Sequence, residues 1–530
     1  MFRYLCIMEE SCSQLRYPVG IQTFSEIREG GYVYVDKTGY IYRLLSGGKY
    51  YFLSRPRRFG KSLLLSTIEA YFNGRRDLFD GLALASLTDD WEPHPILHLD
   101  LNNRDYSRYE GLEKELSTHL ERWEALYGDD KRDRDVEERF AYVIERAHAA
   151  TGKKVVILID EYDKPLLSAI GDEELADRFR NTLKAFYSNI KTMDRHIEFA
   201  LLTGVARFGK VSIFSDLNNL RDISFEPKFA AVCGITNEEI DRYFGRGIEC
   251  LSEALGKSVE DVRQELKRHY DGYHFSANLY DIYNPFSLVN VFAAEQFRNY
   301  WFNSGTPTYI IKLLKGSLWS LRTLEWFRIQ TDRLENEGII TKDPLPTLYQ
   351  AGYLTIKEYD RERDEYILGY PNREVAKSFI DFLYPIYLGV GSTDTEFNIG
   401  RFVDDVVAGK PQSFMTRLDS LLRGVPHIGV AEPHEVYFQN AIYLVFKLMG
   451  FYTRMEDHTS DGRIDMTVET DGYVYVFEFK VNRSAAEAMA QIREKGYWRK
   501  FAASGKPVYL VAANFSAACR ALDDVLIELL

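Results

Sequence analysis

The sequence is poor in cysteine, in basic charge and in long apolar runs, and each shortage excludes a class of protein. Five cysteines in 530 residues, with no CxxC pair, argue for a reducing compartment and against a disulfide or zinc scaffold. The formal net charge of −13 excludes a global basic field, so any nucleic-acid contact must be local. No apolar run approaches the roughly 18 residues of a membrane span, and residues 1–10 make a poor signal peptide. A cytoplasmic protein without a membrane partner is therefore expected.

Over the first 230 residues, short apolar segments alternate with segments of helical periodicity. Residues 50–54, 95–101 and 196–203 have the composition of strands. The run at 155–159 is apolar without polar alternation, which is typical of a strand buried on both faces of a parallel sheet. Strands that alternate with helices in this way predict an α/β doubly wound sheet.

The strand at 50–54 is followed by a short loop and then by an apolar helix. The loop reads Arg55-Pro56-Arg57-Arg58-Phe59-Gly60-Lys61-Ser62. Strand, tight loop, Gly-Lys-Ser and helix form the setting of a P-loop, in which loop amides and the helix N-terminus attract phosphate. Arg58, Gly60, Lys61 and Ser62 are therefore candidate nucleotide contacts, with Lys61 on the β- and γ-phosphates and Ser62 on Mg²⁺. The P-loop pattern has Gly where this chain has Arg55, and Gly-Lys-Ser alone also occurs at ordinary helix starts.

The ends of two later strands carry the other residues that ATP hydrolysis needs. Asp160 and Glu161 close the buried strand, where Asp160 would help to hold Mg²⁺ and Glu161 would polarise the attacking water. An Asp-Glu pair after a strand is also a common helix N-cap. Thr203 ends the next strand and is expected to sense the γ-phosphate. Arg207 would stabilise the charge that develops there, or else form a surface ion pair.

These motifs together resemble a known family. Arg-Pro-Arg-Arg-Phe-Gly-Lys-Ser, Leu-Ile-Asp-Glu-Tyr-Asp-Lys-Pro-Leu and Leu-Thr-Gly-Val-Ala-Arg-Phe-Gly-Lys-Val-Ser-Ile-Phe are similar to the bacterial and archaeal AAA-ATPase-like family, which is related to the STAND-type P-loop ATPases. The resemblance covers about residues 16–310. It implies ATP as the ligand, and an Arg at position 55 is usual in that family.

The middle of the chain, residues 231–390, is expected to be mostly helical. Asn284-Pro285-Phe286 has the composition of a helix start. Two strand-like runs at 353–356 and 366–369, joined by a charged turn, predict a hairpin. Helices with a two-stranded wing indicate a winged-helix-like module, and an undivided helical lid is the alternative. Residues 391–400 have the most linker-like composition of the chain.

The C-terminal region carries a second group of polar residues, on a predicted hairpin. Asp471-Gly472 between two alternating strands is a strong two-residue turn motif. Counting back from this turn sets Asp465 opposite Glu478, with Cβ atoms about 4.5–5.5 Å apart. Lys480 lies two residues beyond Glu478 and shares its face. Two carboxylates and an ammonium are thus expected at one spot on apolar strands.

A divalent cation explains this grouping. Two neighbouring acids on an apolar sheet repel each other and are costly to bury without a cation, and Mg²⁺ takes carboxylate oxygens and waters. The metal would lower the pKa of a bound water for attack on a phosphodiester, and Lys480 would orient that water or neutralise charge. A Lys–Glu–Asp ion-pair cluster on a solvated sheet face is the alternative.

Residues on either side of the hairpin extend this candidate site. Glu435, at the start of an apolar helix, is a candidate third carboxylate, although the helix dipole alone also favours Glu there. Gln491, two turns into a helix that opens at a Ser484–Glu487 capping box, is expected to reach the site. A basic patch suited to phosphates follows, with a solvated helix face as the equal alternative: Arg493, Lys495, Arg499 and Lys500.

The pattern Glu435 … Asp465 … Glu478-Phe479-Lys480 … Gln491 resembles the PD-(D/E)xK nuclease superfamily, with Ile464 in place of the Pro. Such a domain often follows this ATPase type. The resemblance implies a restriction-endonuclease-like fold, in which a central mixed sheet is flanked by helices. It also implies cleavage of a nucleic acid that depends on Mg²⁺ or Mn²⁺, with Glu435, Asp465 and Glu478 as metal ligands.

We therefore expect three α/β or helical domains: an ATPase at 1–230, a helical and winged-helix-like region at 231–390, and a nuclease at 391–530. ATP would gate cleavage of a nucleic acid, DNA being favoured over RNA, and the ATPase domain would support a homo-oligomer. One alternative is a STAND-like signalling or scaffold ATPase whose C-terminal domain binds nucleic acid or protein without cleavage. Another is a DNA-translocating motor.

Overall fold

The computed structural model describes most of the chain in two compact units, the first ending at residue 375 and the second beginning at residue 376. No helix in the described part has the length and apolarity needed to cross a membrane. The three-domain division stays a prediction. The described ranges are 15–128, 133–207, 219–304, 310, 327–336, 343–388, 392–423, 443–450, 456–457, 466–501, 505–516 and 521–530.

A five-stranded parallel sheet forms the centre of the first unit, in the order β2-β3-β4-β1-β5. The apolar run predicted as a buried strand is β3. It is buried along its whole length, as expected for a strand that is covered on both faces. This sheet confirms the α/β prediction. Its strands are β1 (Tyr50–Ser54), β2 (Ile96–Asp100), β3 (Val155–Asp160), β4 (Ile197–Gly204) and β5 (Arg221–Asp222).

Helices surround this sheet and continue through the rest of the first unit. Asn284 caps one of them, because its side chain accepts a hydrogen bond from the Ser287 amide, which confirms the predicted helix start. The helices are α1 (Phe24–Glu29), α2 (Thr38–Gly47), α3 (Lys61–Phe72), α4 (Ala83–Leu87), α5 (Tyr109–Tyr127), α6 (Val136–Thr151), α7 (Lys164–Ser168), α8 (Glu173–Thr192), α9 (Asn237–Leu255), α10 (Val259–Tyr270), α11 (Pro285–Ala294), α12 (Tyr300–Asn303), α13 (Thr331–Asn336) and α14 (Pro344–Gln350).

Arg55 is part of the core rather than of the nucleotide site. Its side chain is 1% exposed and lies over the Phe275 ring, with 4.2 Å from Cζ to the ring centroid. The guanidinium donates hydrogen bonds to the carbonyl oxygens of Ser54, Ser224 and Phe229. The side chain at the position where the P-loop pattern has Gly thus ties the end of β1 to the segment after β5.

A small three-stranded antiparallel sheet, in the order β6-β8-β7, completes the first unit. The predicted hairpin is confirmed as β7 (Thr355–Asp360) and β8 (Glu365–Gly369), while β6 (Phe327–Gln330) was not expected. Two short helices, α13 and α14, lie between β6 and β7 in the chain. The winged-helix assignment stays a prediction.

The second unit is built on a mixed five-stranded sheet in the order β13-β12-β11-β10-β9, as the restriction-endonuclease-like fold requires. The β11–β12 pair is parallel and its neighbours are antiparallel. Val474 and Val476 pack against the helix that follows β11. The strands are β9 (Glu456–Asp457), β10 (Met466–Glu469), β11 (Val474–Val481), β12 (Val508–Ser516) and β13 (Ala521–Leu529).

Helix α15 (Arg373–Leu388) begins in the first unit and continues into the second, where the remaining helices are α16 (Ser392–Val407), α17 (Pro411–Arg423), α18 over residues 443–450, and α19 (Ala485–Lys495). The assignment of residues 391–400 as a linker is therefore wrong, since α16 begins at Ser392. Ser, Thr, Asp and Glu are the residues that open a helix as well as those that fill a linker.

Two of the five cysteines, Cys233 and Cys250, lie in the described part of the chain. Cys250 is disulfide-bonded, whereas Cys233 is free and buried. Cysteine count and spacing alone do not reveal which pairs the fold brings together.

The network around Arg55 predicts a large loss of stability in Arg55→Lys. A single ammonium cannot replace the planar guanidinium that spans several carbonyl groups, so buried acceptors lose their donors. We expect the free energy of unfolding to fall by about 2–4 kcal/mol, measured by urea denaturation with tryptophan fluorescence. The exposed Arg108→Lys serves as the control and should change it by less than about 0.5 kcal/mol. Equal stability of Arg55→Lys and the wild type would contradict this role.

Candidate functional site

A cavity of about 340 Å³ lies over the Gly-Lys-Ser loop, at the carboxyl ends of the parallel strands. Its floor is formed by the loop and by the ends of β2 and β3. Its walls come from residues 18–22 and from the first half of α11. The side chains from the floor include Arg58, Lys61, Ser62, Asp100, Asp160 and Glu161. The volume lies in the range of small-molecule sites.

The loop has the backbone of a phosphate cradle. Gly60 has φ 92°, in the left-handed region, and α3 begins directly after it at Lys61. Arg58 also has a positive φ of 65°, and its guanidinium lies 5.0 Å from the Phe286 ring centroid. The Lys61 ammonium is 4% exposed and donates to the carbonyl oxygens of Arg55 and Pro56 at 3.1 and 3.2 Å. Its charge is thus held inside the curve of the loop.

Asp160 accepts hydrogen bonds from two other predicted site residues, Ser62 and Thr203. The Ser62 hydroxyl donates to Asp160 Oδ2 at 2.5 Å, and the Thr203 hydroxyl donates to Asp160 Oδ1 at 2.6 Å. Ser62 comes from α3, Asp160 from β3 and Thr203 from β4. The Ser62 hydroxyl and the Asp160 carboxylate are adjacent hard oxygen donors, the ligand type that Mg²⁺ takes, so these residues fit that ion.

Glu161 is held beside the lysine in an unusual backbone conformation. Its φ is 52°, which is uncommon for a residue with a side chain. Its Oε1 lies 3.8 Å from Lys61 Nζ. The carboxylate thus lies beside the lysine in the cavity lining, and its role as a general base stays a prediction.

Arg207 is not brought to the cavity. Its Nε donates to Asp222 Oδ2 at 2.9 Å, and its guanidinium lies 4.9 Å from the Phe225 ring centroid. The side chain is only 12% exposed, so this is a buried ion pair rather than the surface pair considered above. Its assignment to the γ-phosphate stays a prediction, and the cavity lining does not support it.

The polar cavity residues that the sequence analysis missed include Asp100, Asn102 and Lys164. Asp100 ends β2 and lies in register with Asp160 on β3, and its carboxylate accepts a hydrogen bond from the Asn102 amide at 2.9 Å. A usable feature was present, because Asp100 is the second-last residue of the strand predicted at 95–101. The strand order that makes β2 the neighbour of β3 was needed to interpret it.

Asp163 was also missed, and it fixes the loop after β3 to the end of β4. It is fully buried, and its Oδ2 accepts hydrogen bonds from the Val205 and Ala206 amides at 3.0 and 2.5 Å. Burial, with a smaller effect from the Glu161 carboxylate, raises the pKa of Asp163 to about 7. The Asp163 carboxyl therefore holds the loop after β3 against the loop after β4.

In the second unit, Glu478, Lys480 and Gln491 come together as predicted. Lys480 Nζ donates to Glu478 Oε1 at 2.9 Å and to Gln491 Oε1 at 2.6 Å. Glu478 and Lys480 are two residues apart on β11, so both lie on the face that α19 covers. Gln491 lies on α19. The Glu478 side chain is 4% exposed, which argues against a solvated ion-pair cluster. Asn514, in register with Lys480 on β12, is a buried polar neighbour that the sequence analysis missed.

The remaining predicted ligands, Asp465 and Glu435, lie outside the described residues. The hairpin register is nevertheless confirmed, with Met466 opposite Phe477 and Glu469 opposite Val474, which is the register from which Asp465 was predicted opposite Glu478. Among the described residues no three His, Cys, Asp or Glu side chains gather into a metal site. The assignment of Asp465 and Glu435 as metal ligands beside Glu478 stays a prediction.

Part of the predicted basic patch is already paired. Arg493 NH2 donates to Glu528 Oε2 at 2.5 Å, across to β13. Both side chains are solvent-accessible, at 62% and 36%, so this pair is a weak one. The patch stays a prediction as a phosphate contact.

Comparison with known proteins agrees with this division. Residues 18–214 match a family model described as Predicted AAA-ATPase, and residues 433–524 match one described as PD-(D/E)XK nuclease superfamily. An Azotobacter chroococcum protein, described as "Uncharacterized protein in vnfD 5'region", is 38% identical over 528 residues, which cover 97% of this chain and 99% of that protein. The solved Aeropyrum pernix ORC2 structure aligns at 14% identity over 63% of this chain and 87% of that chain. Its TM-score of 0.18 is too low to support an argument about fold.

The raised pKa of Asp163 predicts a pH-dependent stability. An unfolded Asp titrates near 3.8, so between about pH 4 and pH 7 the folded chain keeps a proton that the unfolded chain releases. Stability from this group therefore falls as pH rises through that window and is level above it. Asp163→Asn cannot ionise, so its Tm should gain on the wild type by about 3 °C or more between pH 5 and pH 8.

The control for this measurement is Asp89→Asn, since that side chain is 98% exposed. Differential scanning calorimetry across the pH series should give parallel curves for Asp89→Asn and the wild type. Parallel curves for Asp163→Asn as well would mean that the pKa of Asp163 is not raised.

Proposed function

The chain belongs to the family of its Azotobacter chroococcum relative and joins an AAA-ATPase-like domain to a PD-(D/E)XK nuclease superfamily domain, and from this premise we propose that it is an ATP-regulated, metal-dependent nuclease. The observation that carries the proposal is the meeting of Glu478, Lys480 and Gln491 on one buried sheet face. DNA is the proposed substrate, the cytoplasm the proposed location, and a homo-oligomer through the ATPase domain the proposed assembly.

ATP binding is supported by the cavity over the Gly-Lys-Ser loop. Lys61 would turn from the loop carbonyls to the β- and γ-phosphates, while the loop amides receive phosphate oxygens. Ser62 and Asp160 would hold Mg²⁺, which would neutralise part of the phosphate charge. Thr203 keeps the Asp160 carboxylate oriented through its hydrogen bond. Glu161 would accept a proton from the attacking water.

Phosphodiester cleavage is supported by the charge arrangement on β11. Glu478, with Asp465 and Glu435 from outside the described residues, would hold a divalent metal that supplies an activated water. Lys480, held by Gln491, would place its positive charge beside the attacked phosphate and stabilise the charge that develops there. Gln491, which accepts a hydrogen bond from Lys480, would hold the ammonium in place when Glu478 serves as a metal ligand.

The ATP site predicts two separable defects. Lys61→Ala should weaken ATP binding about 100-fold, which corresponds to about 2.7 kcal/mol, because the charge inside the loop is lost. Glu161→Gln should bind ATP normally but hydrolyse it about 100-fold more slowly, because the proton acceptor is lost. Fluorescent-nucleotide titration and phosphate release measure the two effects. Lys191→Ala, an exposed position on α8, should match the wild type in both assays. Unchanged binding by Lys61→Ala would contradict the site.

The site in the second unit predicts that its variants lose nuclease activity while they still bind ATP. Glu478→Gln and Lys480→Ala should each cut DNA at least about 100-fold more slowly with Mg²⁺ or Mn²⁺, while their ATP affinity is unchanged. The assay compares plasmid, linear duplex and single-stranded DNA, with and without ATP and with EDTA. Lys410→Ala and Glu494→Gln, both exposed, are the matched controls.

Cutting by both Glu478→Gln and Lys480→Ala at the wild-type rate would remove this site from the proposal. Metal-independent DNA or protein binding by the wild type, without cleavage, would instead favour a signalling or scaffold ATPase.

A further inference from the structure

Glu374 is a buried carboxylate that neither proposed reaction uses. Its side chain is 1% exposed and lies in the first turn of α15. Oε2 accepts a hydrogen bond from the Ser287 hydroxyl at 2.7 Å, and Oε1 accepts one from the Trp301 amide at 2.7 Å. Burial raises the pKa of Glu374 to about 7, against the lowering effect of these two donors. Burying a carboxyl group costs free energy unless hydrogen-bond donors remain in place around it.

The first donor belongs to the wall of the nucleotide cavity. Ser287 lies in the first turn of α11, directly after Pro285 and Phe286, and two residues before Val289. All three of those neighbours line the cavity. A nucleotide that displaces the N-terminal turn of α11 must therefore also move a donor of Glu374.

The second donor belongs to a residue that holds the phosphate loop from outside. The Trp301 indole Nε1 donates to the Arg57 carbonyl oxygen at 3.0 Å, and Arg57 lines the cavity. The same region is closely packed, since a Cβ on Gly352 would approach Pro56 Cβ to 2.7 Å and Trp301 Cζ2 to 3.4 Å. Movement of the loop around phosphate is therefore passed to Trp301 and, through its amide, to Glu374.

Glu374 in turn belongs to the one described helix that both units share. The first turn of α15 lies in the first unit, and the helix continues from residue 376 in the second. Because a helix forms cooperatively, how firmly its first turn is held affects the turns that follow. We propose that Glu374 is a coupling residue, through which nucleotide in the cavity changes how firmly α15 is held and so carries the ATP state to the unit that contains Glu478. This inference rests on the proposed ATP site.

Hydrogen exchange of α15 in the full-length protein tests this coupling. Peptides that cover residues 373–388 are followed by mass spectrometry with no nucleotide, with Mg²⁺–ATP and with a non-hydrolysable ATP analogue. In the wild type, either nucleotide should change α15 exchange by about fivefold or more. In Glu374→Gln and in Trp301→Phe, which lacks the indole donor, the change should fall below about twofold. Nucleotide Kd, measured in parallel, should stay within about threefold of the wild type in Glu374→Gln, since the Glu374 side chain does not line the cavity.

Glu335→Gln is the matched control, because Glu335 is also partly buried and accepts a hydrogen bond from the Tyr366 hydroxyl, away from the cavity lining. It should keep the wild-type response. Nucleotide binding by the wild type with unchanged α15 exchange overturns the coupling alone. So does a full response in both Glu374→Gln and Trp301→Phe. Absence of nucleotide binding by the wild type overturns the proposed ATP site, and the coupling with it.

Discussion

The hydrogen bonds that Asp160 accepts from Ser62 and Thr203 depend on one constraint, the order of the parallel strands. Because β4 lies between β1 and β3, the loop after β1, the carboxylate that ends β3 and the hydroxyl that ends β4 converge at one edge of the sheet. Parallel strands place all their carboxyl ends on that edge, which is where open α/β sheets bind ligands. Residues that are about 100 and 40 positions apart in the chain therefore act as one group.

The two units would bind phosphate groups with different structural elements. In the first, phosphate would be received by backbone amides and by Lys61, so the site needs a loop with unusual backbone angles, as at Arg58 and Gly60. In the second, charged side chains stand on a sheet face next to a hydrophobic cluster, and Lys480 donates hydrogen bonds to both Glu478 and Gln491. That site needs strand register and helix packing rather than a strained loop.

Several carboxyl groups in the first unit are buried beyond what chemistry at the cavity requires. Asp163 joins the loop after β3 to the end of β4, and Glu374 joins Ser287 and Trp301 to α15. Arg55 does the same with a cation, by collecting carbonyl groups from separate segments. Each is costly to bury, and each is satisfied only when distant parts of the chain are in place. Such groups specify one arrangement of the cavity.

The sequence by itself determined what depends on local pattern. Apolar runs predicted the strands, Gly-Lys-Ser predicted the loop before α3, and Asp471-Gly472 predicted a hairpin register that follows from counting outward from a two-residue turn. Because side chains alternate along a strand, the pairing of Glu478 with Lys480 followed as well.

Tertiary structure alone decided what depends on long-range packing. Local composition could not separate a linker from a helix start at Ser392. It could not reveal that Arg55 is a core residue or that Arg207 pairs with Asp222. Nor could it bring Asp100 beside Asp160, or Trp301 against Arg57, because those contacts follow from strand order and packing between segments up to about 240 residues apart. Side-chain partners across such separations are fixed by the fold, whereas a sequence pattern fixes only neighbours within a few residues.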